Sequence, residues 1–500
     1  MNTGDASKSN GSDSGDSQSS ASKSLFQRLL DGIERFGNRV PHPAVLFLGL
    51  IGLLVVLSHV FQLLGTSVSY SRINPETYEL EQAATAARSL ISADGIRIVF
   101  TSVVSNFISF GPVGIIMVAM IGIGVAERSG LIGALIHKIV IVAPPQAMTM
   151  IVVTLGVLSS MASDAGYLVL IPLGAVAFHS LGRHPLAGLA AAFAGVAAAF
   201  GANFLVKPID GILAEMTNDA IHIVDPARSI ELTANFYFGI ASSVVLIVVC
   251  TLVTSRFVEP RLGRYEGDAP VPENQGMSAE ESRGLLFAFF ALVGIVLLVA
   301  LLTFPPSAPL RNPETGAILG NSPFMGSLVF LIMLVFLVMG AAYGLGARTL
   351  QTMDEAIDAI TKTFADLAGL LFLFFVIGQF VAYFTFTNLG TILAVTLANA
   401  LRDAELNSVT LLLAFILIGF LLSIPVPNIL PKWAIMAPVF VPLFLKLGVD
   451  PEVVLAAYRV SDSPPNVINP LLPHFALVVG FVRRWQSEAG VGTVVAMMLP

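Results

Sequence analysis

The chain is short of charge. Only 12% of its 500 residues are Asp, Glu, Lys or Arg, against about 25% in a soluble domain. It has one cysteine, Cys250, set in an apolar run. No internal disulfide can form, and the thiol reads as inert and buried. Basic residues are not in excess: 26 Lys and Arg face 33 Asp and Glu, a net charge of −7. That leaves no electrostatic footprint for nucleic acid. There is no P-loop, no HExxH and no Cys/His cluster, so nothing points to nucleotide hydrolysis, a resident metal or an organic cofactor. The seven histidines are scattered, and His184 and His474 read as residues flanking helix ends.

What the chain has is apolar length. It is 55% hydrophobic, with a mean hydropathy of +0.83. Runs long enough to cross a bilayer recur along it. They are continuous rather than alternating, which excludes a β-barrel. The fold class expected is an all-α polytopic membrane protein.

Residues 1–24 are polar and read as a disordered cytoplasmic tail. Residues 25–40 (LFQRLLDGIERFGNRV) form an amphipathic stretch suited to the membrane surface. Residues 41–225 read as a first transmembrane repeat, and 226–323 as connecting spans around a loop at 255–283. Residues 324–486 read as a second, inverted repeat, and 487–500 as a C-terminal segment. Lys23, Arg28, Arg35 and Arg39 put the N-terminal flank in the cytoplasm, and Arg256, Arg261, Arg264 and Arg283 do the same for loop 255–283. These charges make the first repeat start outside and the second inside. Localisation in a bacterial inner membrane follows.

The repeat is legible between residues 155–214 and 418–477. Each block runs from an apolar helix through a polar or Pro-rich break to a second apolar helix. Each then continues with Gly-x-x-Pro (Gly182 to Pro185, Gly448 to Pro451), a small-residue helix and a second polar break. Upstream, Asp94 to Leu135 and Met353 to Leu393 read as re-entrant hairpins, with tips at Asn106–Gly114 and Tyr383–Gly390. Inverted repeats with broken helices are the architecture of many secondary transporters, whose sites sit where the helices unwind.

Charge at membrane depth is costly and marks function by default. In block one, Asp164 lies among small residues, and Asn203 and Asp210 offer hard oxygens. These three are the candidates for coupling to H⁺ or Na⁺, with a Na⁺ site near them. Lys207 stands one helical turn before Asp210, so a purely structural pair is the competing reading. In block two, Asn428 and Lys432 lie at the first break, with Trp433 beside them. Arg459, Asp462, Asn466 and Asn469 lie at the second. Arg459 suits a carboxylate, although a structural pair with Asp462, three residues on, competes. Trp433 reads as an aromatic wall for a ring-bearing substrate or as an interfacial residue.

At KWAIMAPVFVP, AYRVSDSPPNVINPL, SSMASDAG and GANFLVKPID the sequence resembles the AbgT family of transporters, from about residue 25 to the end. The resemblance implies nine transmembrane helices, two hairpins and a water-filled basin in each subunit of a homodimer. It implies ion-driven transport of p-aminobenzoyl-glutamate or related folate fragments; some members are described as exporting sulfonamide antimetabolites. The family's substrate-path positions fall on Asp210, Trp433, Pro451, Arg459 and Asp462. At PVPNILPKW the chain departs from the family pattern, with Asn428, Ile429, Leu430 and Pro431 where small Ser and Ala precede Lys-Trp. The expectation is an alternating-access carrier, not an enzyme, in a lipid bilayer. Its cargo would be a small-molecule carboxylate. Antimetabolite export and dicarboxylate carriage are the alternatives.

Overall fold

The computed structural model describes residues 43–73, 80–161, 166–267, 276–319, 322–403 and 407–500. The expected tail, the amphipathic stretch 25–40 and Asp164 lie outside these. Helix α1 (Pro43–Leu63) leads into a two-stranded antiparallel ribbon, β1 (Ser67–Ile73) and β2 (Leu80–Ala86), in register from Ser67 with Ala86 to Ile73 with Leu80. The ribbon is a small exception within the all-α polytopic fold the sequence predicts; SVSYSRI alternates, a strand signal outweighed by the helical composition around it.

The first repeat holds α2 (Ala93–Thr101), α3 (Val103–Ile108), α4 (Gly111–Arg128), α5 (Leu131–Val142), α6 (Met148–Ser159), α7 (Ile171–Ser180), α8 (Pro185–Phe193) and α9 (Pro208–Ile221). Connecting spans α10 (Phe236–Val253) and α11 (Ala279–Thr303) follow, then α12 (Leu328–Ala347). The second repeat holds α13 (Met353–Asp366), α14 (Ala368–Phe386), α15 (Leu389–Asp403), α16 (Ser408–Ser423), α17 (Ile429–Lys446) and α18 (Pro451–Asp462). The chain ends in α19 (Phe475–Arg483) and α20 (Val491–Met498). Seven helices among the described residues are long and apolar enough to cross a membrane. On α11 the side chains of Phe289 and Phe290 stay more than half exposed, as a face solvated by lipid requires.

The first hairpin turns at Ser109–Phe110, inside its expected tip, where Phe110 leaves the helical region. The second differs from expectation. By element order its counterpart is the one-residue break at Leu367 between α13 and α14. The turn at Asn388 (φ 61°) instead matches the turn at Gly130 (φ 90°) that follows the first hairpin. The Leu367 break lacks turn residues at the break itself, where the sequence passes from the polar MDEAIDAITKTFAD into an apolar run, whereas Asn-Leu-Gly carries a turn signal.

The two repeats match in detail. Gly182 and Gly448 both end a helix at positive φ (69° and 78°), the backbone state glycine adopts freely. Pro185 and Pro451 then open α8 and α18 at the first turn, where a missing N–H costs nothing. A Cβ at Gly156 would lie 2.6 Å from the backbone of Gly195, and one at Gly419 2.3 Å from the Ser461 hydroxyl. Gly182, Pro185, Gly195 and Asn203 correspond to Gly448, Pro451, Ser461 and Asn469 at one constant spacing. Both helices distort toward their C-terminal ends: α8 widens into a π turn at Ala194–Ala198, and α18 is followed by a 3₁₀ turn at Pro464–Val467.

There are two large cores. One gathers α5 to α8 with Val467 and Phe475. The other gathers α4, α14, α17 and α18 with Ile212 and Leu213 of α9. Each repeat's second break therefore carries the chain out of its own core into the other, and the two breaks meet in between.

Candidate functional site

At that crossing the breaks are laced together. Gly201 N–H donates to Ser463 Oγ at 2.7 Å, Arg459 Nη1 to Gly201 O at 3.2 Å, and Asn466 Nδ2 to Ala197 O at 3.4 Å. Each break is also tied to its own repeat by an asparagine. Asn203 Nδ2 donates to Val157 O and Ser160 Oγ, while its Oδ1 accepts from Leu205 N–H. Asn469 Nδ2 donates to Ser423 O and Ile424 O, while its Oδ1 accepts from Leu471 N–H. These amides satisfy backbone groups that unwinding leaves bare, a requirement where no bulk water reaches.

The ion pairs are not those the sequence suggested. Arg459 Nη1 lies 2.6 Å from Asp210 Oδ1, and Lys432 Nζ lies 2.6 Å from Asp462 Oδ1. Lys432 and Asp462 are each 1% exposed at the side chain. Neighbours on α18, Arg459 and Asp462 turn to different partners: Arg459 reaches across to the first repeat, Asp462 back to α17. Lys207 does not pair with Asp210 through its side chain either. Its Nζ donates to Phe200 O at 2.6 Å and to Ser160 Oγ at 3.3 Å. Asp210 Oδ2 accepts instead from the Lys207 backbone N–H at 2.7 Å, capping α9. Through-space partners 249 positions apart outcompete helix neighbours here, because a buried charge takes whichever opposite charge completes its desolvated shell.

Lys432 also donates to Ser423 Oγ. The hydroxyl missing from PVPNILPKW is thus supplied by the end of the preceding helix. Asp462 Oδ2, Asn466 Oδ1 and Arg459 Nε are buried with no hydrogen-bond partner among the described residues.

Trp433 is fully buried. It stacks on Tyr458, with centroids 4.4 Å apart, and donates to Thr217 Oγ1 at 3.1 Å. One ring face and the N–H are thus engaged within the protein. Asn428 caps α17 through Leu430 N–H. Pro451 sits eight positions before Arg459 at the start of α18, about 12 Å along its axis. His474 precedes α19 and stacks on Tyr167, and His184 caps α8.

Arg459 and Asp210 line a small cavity, and a larger one shares Leu232 with it. The smaller, about 20 Å³, holds a water or so and no organic solute. Asn203, Asp210, Asn235, Leu232, Gly239 and Arg459 line it. The larger, about 500 Å³, falls in the size range of ligand sites. Its wall includes Gly211, Glu215, Glu231, Leu232, Ser322 and Met325. The sequence reading missed Ser160, Ser423, Ser463, Asn235 and Tyr458; nothing in an isolated Ser or Asn marks it as the partner of a distant break.

Comparison with known proteins completes the description. The sequence pattern of the AbgT putative transporter family matches residues 28–500. The p-aminobenzoyl-glutamate transport protein of Escherichia coli (strain K12) is 32% identical over 479 residues, 96% of this chain and 92% of that protein. The YdaH transporter of Alcanivorax borkumensis, whose crystal structure is described as revealing an unusual topology, superposes with a TM-score of 0.82 at 41% identity. That match covers 92% of this chain and 95% of that one. MtrF of Neisseria gonorrhoeae, described as illuminating a class of antimetabolite efflux pumps, superposes with a TM-score of 0.88 at 39% identity. It covers 95% of this chain and 94% of that one.

Proposed function

The chain belongs to the AbgT family of membrane transporters, and on that premise we propose that it moves p-aminobenzoyl-glutamate or a related aromatic, amino-acid-linked carboxylate by ion-coupled alternating access. The observation that carries this reading is the Arg459–Asp210 pair, which joins the helix ends beside the breaks of two inverted repeats at the wall of a cavity. An Arg fork that grips one carboxylate can exchange it for another. A substrate carboxylate that takes Arg459 sets Asp210 free. The buried carboxylate then needs a cation, H⁺ or Na⁺, with Asn203 and Asp164 as further oxygen donors. Substrate and coupling ion thereby bind together without an unpaired charge at membrane depth. Lys432, Asp462, Asn466 and Asn469 hold the second-repeat break in shape around this exchange, and the homodimer fixes each subunit's scaffold in the inner membrane.

Because the cavity at the pair is too small for the substrate, transport requires the two cores to part at the crossing of the breaks. That motion is the alternating-access step. Export of antimetabolites is the second reading, favoured by the likeness to MtrF; the same site serves both directions, since gradients set the direction.

The test is flux of radiolabelled p-aminobenzoyl-glutamate into proteoliposomes under separate Na⁺ and proton gradients, beside Asp210→Ala and Arg459→Ala. Gradient-driven, saturable uptake that both variants lose is expected. Uptake that persists in both would remove the site, and no uptake under either gradient would remove the substrate; a sulfonamide panel then tests the second reading.

A further inference from the structure

The 500 Å³ cavity has a chemistry of its own. It carries two carboxylates, Glu215 and Glu231, and no basic side chain on its lining. Among the described residues neither carboxylate has a hydrogen bond or an ion pair. The Glu215 carboxylate lies against Gly111 at the first hairpin's turn. Leu232 lines this cavity and the small one beyond it. Past Leu232 stand two polar atoms with no partner, Arg459 Nε and Asn235 Oδ1, on side chains more than nine-tenths buried. The two cavities are therefore neighbours with Leu232 as their common wall. Glu215 follows Asp210 by five positions on α9, roughly 7.5 Å along the helix axis. Once the two cores part, one elongated solute can reach both Glu215 and Arg459.

We infer that this cavity is the subsite for the amine end of an arylamine substrate, with Glu215 and Glu231 accepting its N–H groups while Arg459 takes the carboxylate end. This rests on the carboxylate-carrier reading above and adds to it a second recognition point and a polarity. A carboxylate accepting from an N–H makes the stronger, charge-assisted class of hydrogen bond. The same two carboxylates repel a second anionic group, so a dicarboxylate with acid at both ends is disfavoured there. Leu232 separates the ends and keeps the negative cavity from competing for Arg459.

The experiment compares p-aminobenzoyl-glutamate with benzoyl-glutamate, which lacks only the amine, in the same proteoliposomes. For the native protein we expect a KM for the amine compound on the order of tenfold lower. In Glu215→Gln and Glu231→Gln that advantage should shrink to within about twofold, with the benzoyl-glutamate KM unchanged. A structural role would instead raise both KM values together, and that result overturns the assignment. Equal KM values in the native protein overturn it as well and leave the carrier reading standing. If neither compound is carried, the carrier reading falls, and the subsite with it.

Discussion

The two repeats share a backbone device and differ in charge. Each closes a glycine of the helix before its first break onto a small residue of its second: Gly156 onto Gly195, Gly419 onto Ser461. Each ties its breaks with one asparagine, Asn203 or Asn469. The ionic content is asymmetric. The second repeat keeps a closed pair, Lys432–Asp462, to itself and extends Arg459 outward. The first has no counterpart to that Arg or that Asp at the equivalent positions, which are Phe193 and Val196; it offers Asp210 and the buried Lys207. The lesson is a division of labour: symmetry builds the crossing, and asymmetry leaves one cation facing the cavity while the other is locked.

That division can be broken. The largest effect is expected at the locked pair. Lys432→Met strands Asp462 in a dry core and should cost about 3–5 kcal/mol, whereas Lys432→Met with Asp462→Leu should recover much of the loss. Thermal unfolding in detergent reads this directly; equal losses for the single and double variants would deny that the pair acts as a unit.

Next come the glycines. Gly156→Ala meets backbone, which cannot move aside, and should cost about 1–3 kcal/mol. Gly419→Ala clashes only with the Ser461 side chain, its hydroxyl and its Cβ at 2.8 Å, so Ser461→Gly should rescue it, whereas no side-chain change relieves Gly156→Ala. The asparagines sharpen the symmetry itself. Asn203→Ala and Asn469→Ala each remove two donated hydrogen bonds and should destabilise, by about 1–3 kcal/mol, the second more because Val157 O and Ser160 Oγ keep Ser160 Oγ and Lys207 Nζ, respectively, as donors; equal losses would show that those remaining donors do not compensate. The smallest effect is expected at Trp433→Phe. It keeps the stack on Tyr458 and loses the bond to Thr217, for about 1 kcal/mol; a loss of transport without a loss of stability would instead place Trp433 on the substrate path.

Much of this was legible before any coordinates. Gly-x-x-Pro, the polar breaks and their order announced two related halves, because only irregular backbone needs Gly, Pro and Asn in apolar runs. The charged residues announced themselves by their rarity. What stayed illegible was pairing. Arg459 and Asp462, and Lys207 and Asp210, stand one turn apart and invited local pairs, but the structure paired none of them side chain to side chain. The second hairpin's break at Leu367 was equally hidden, since FADLAG carries no proline or turn dipeptide to mark it.

The sequence by itself determined that this protein lives in a bilayer, that it is built twice over, and which few side chains can carry charge there. Those follow from composition and local backbone chemistry, which act along the chain. The tertiary structure alone decided which charge meets which, that Trp433 faces inward to Tyr458, and that Glu215 and Glu231 share a cavity that has Leu232 as its common wall with the Arg459 cavity. Those are contacts between segments up to hundreds of residues apart, and their energies depend on burial and geometry that no local pattern encodes.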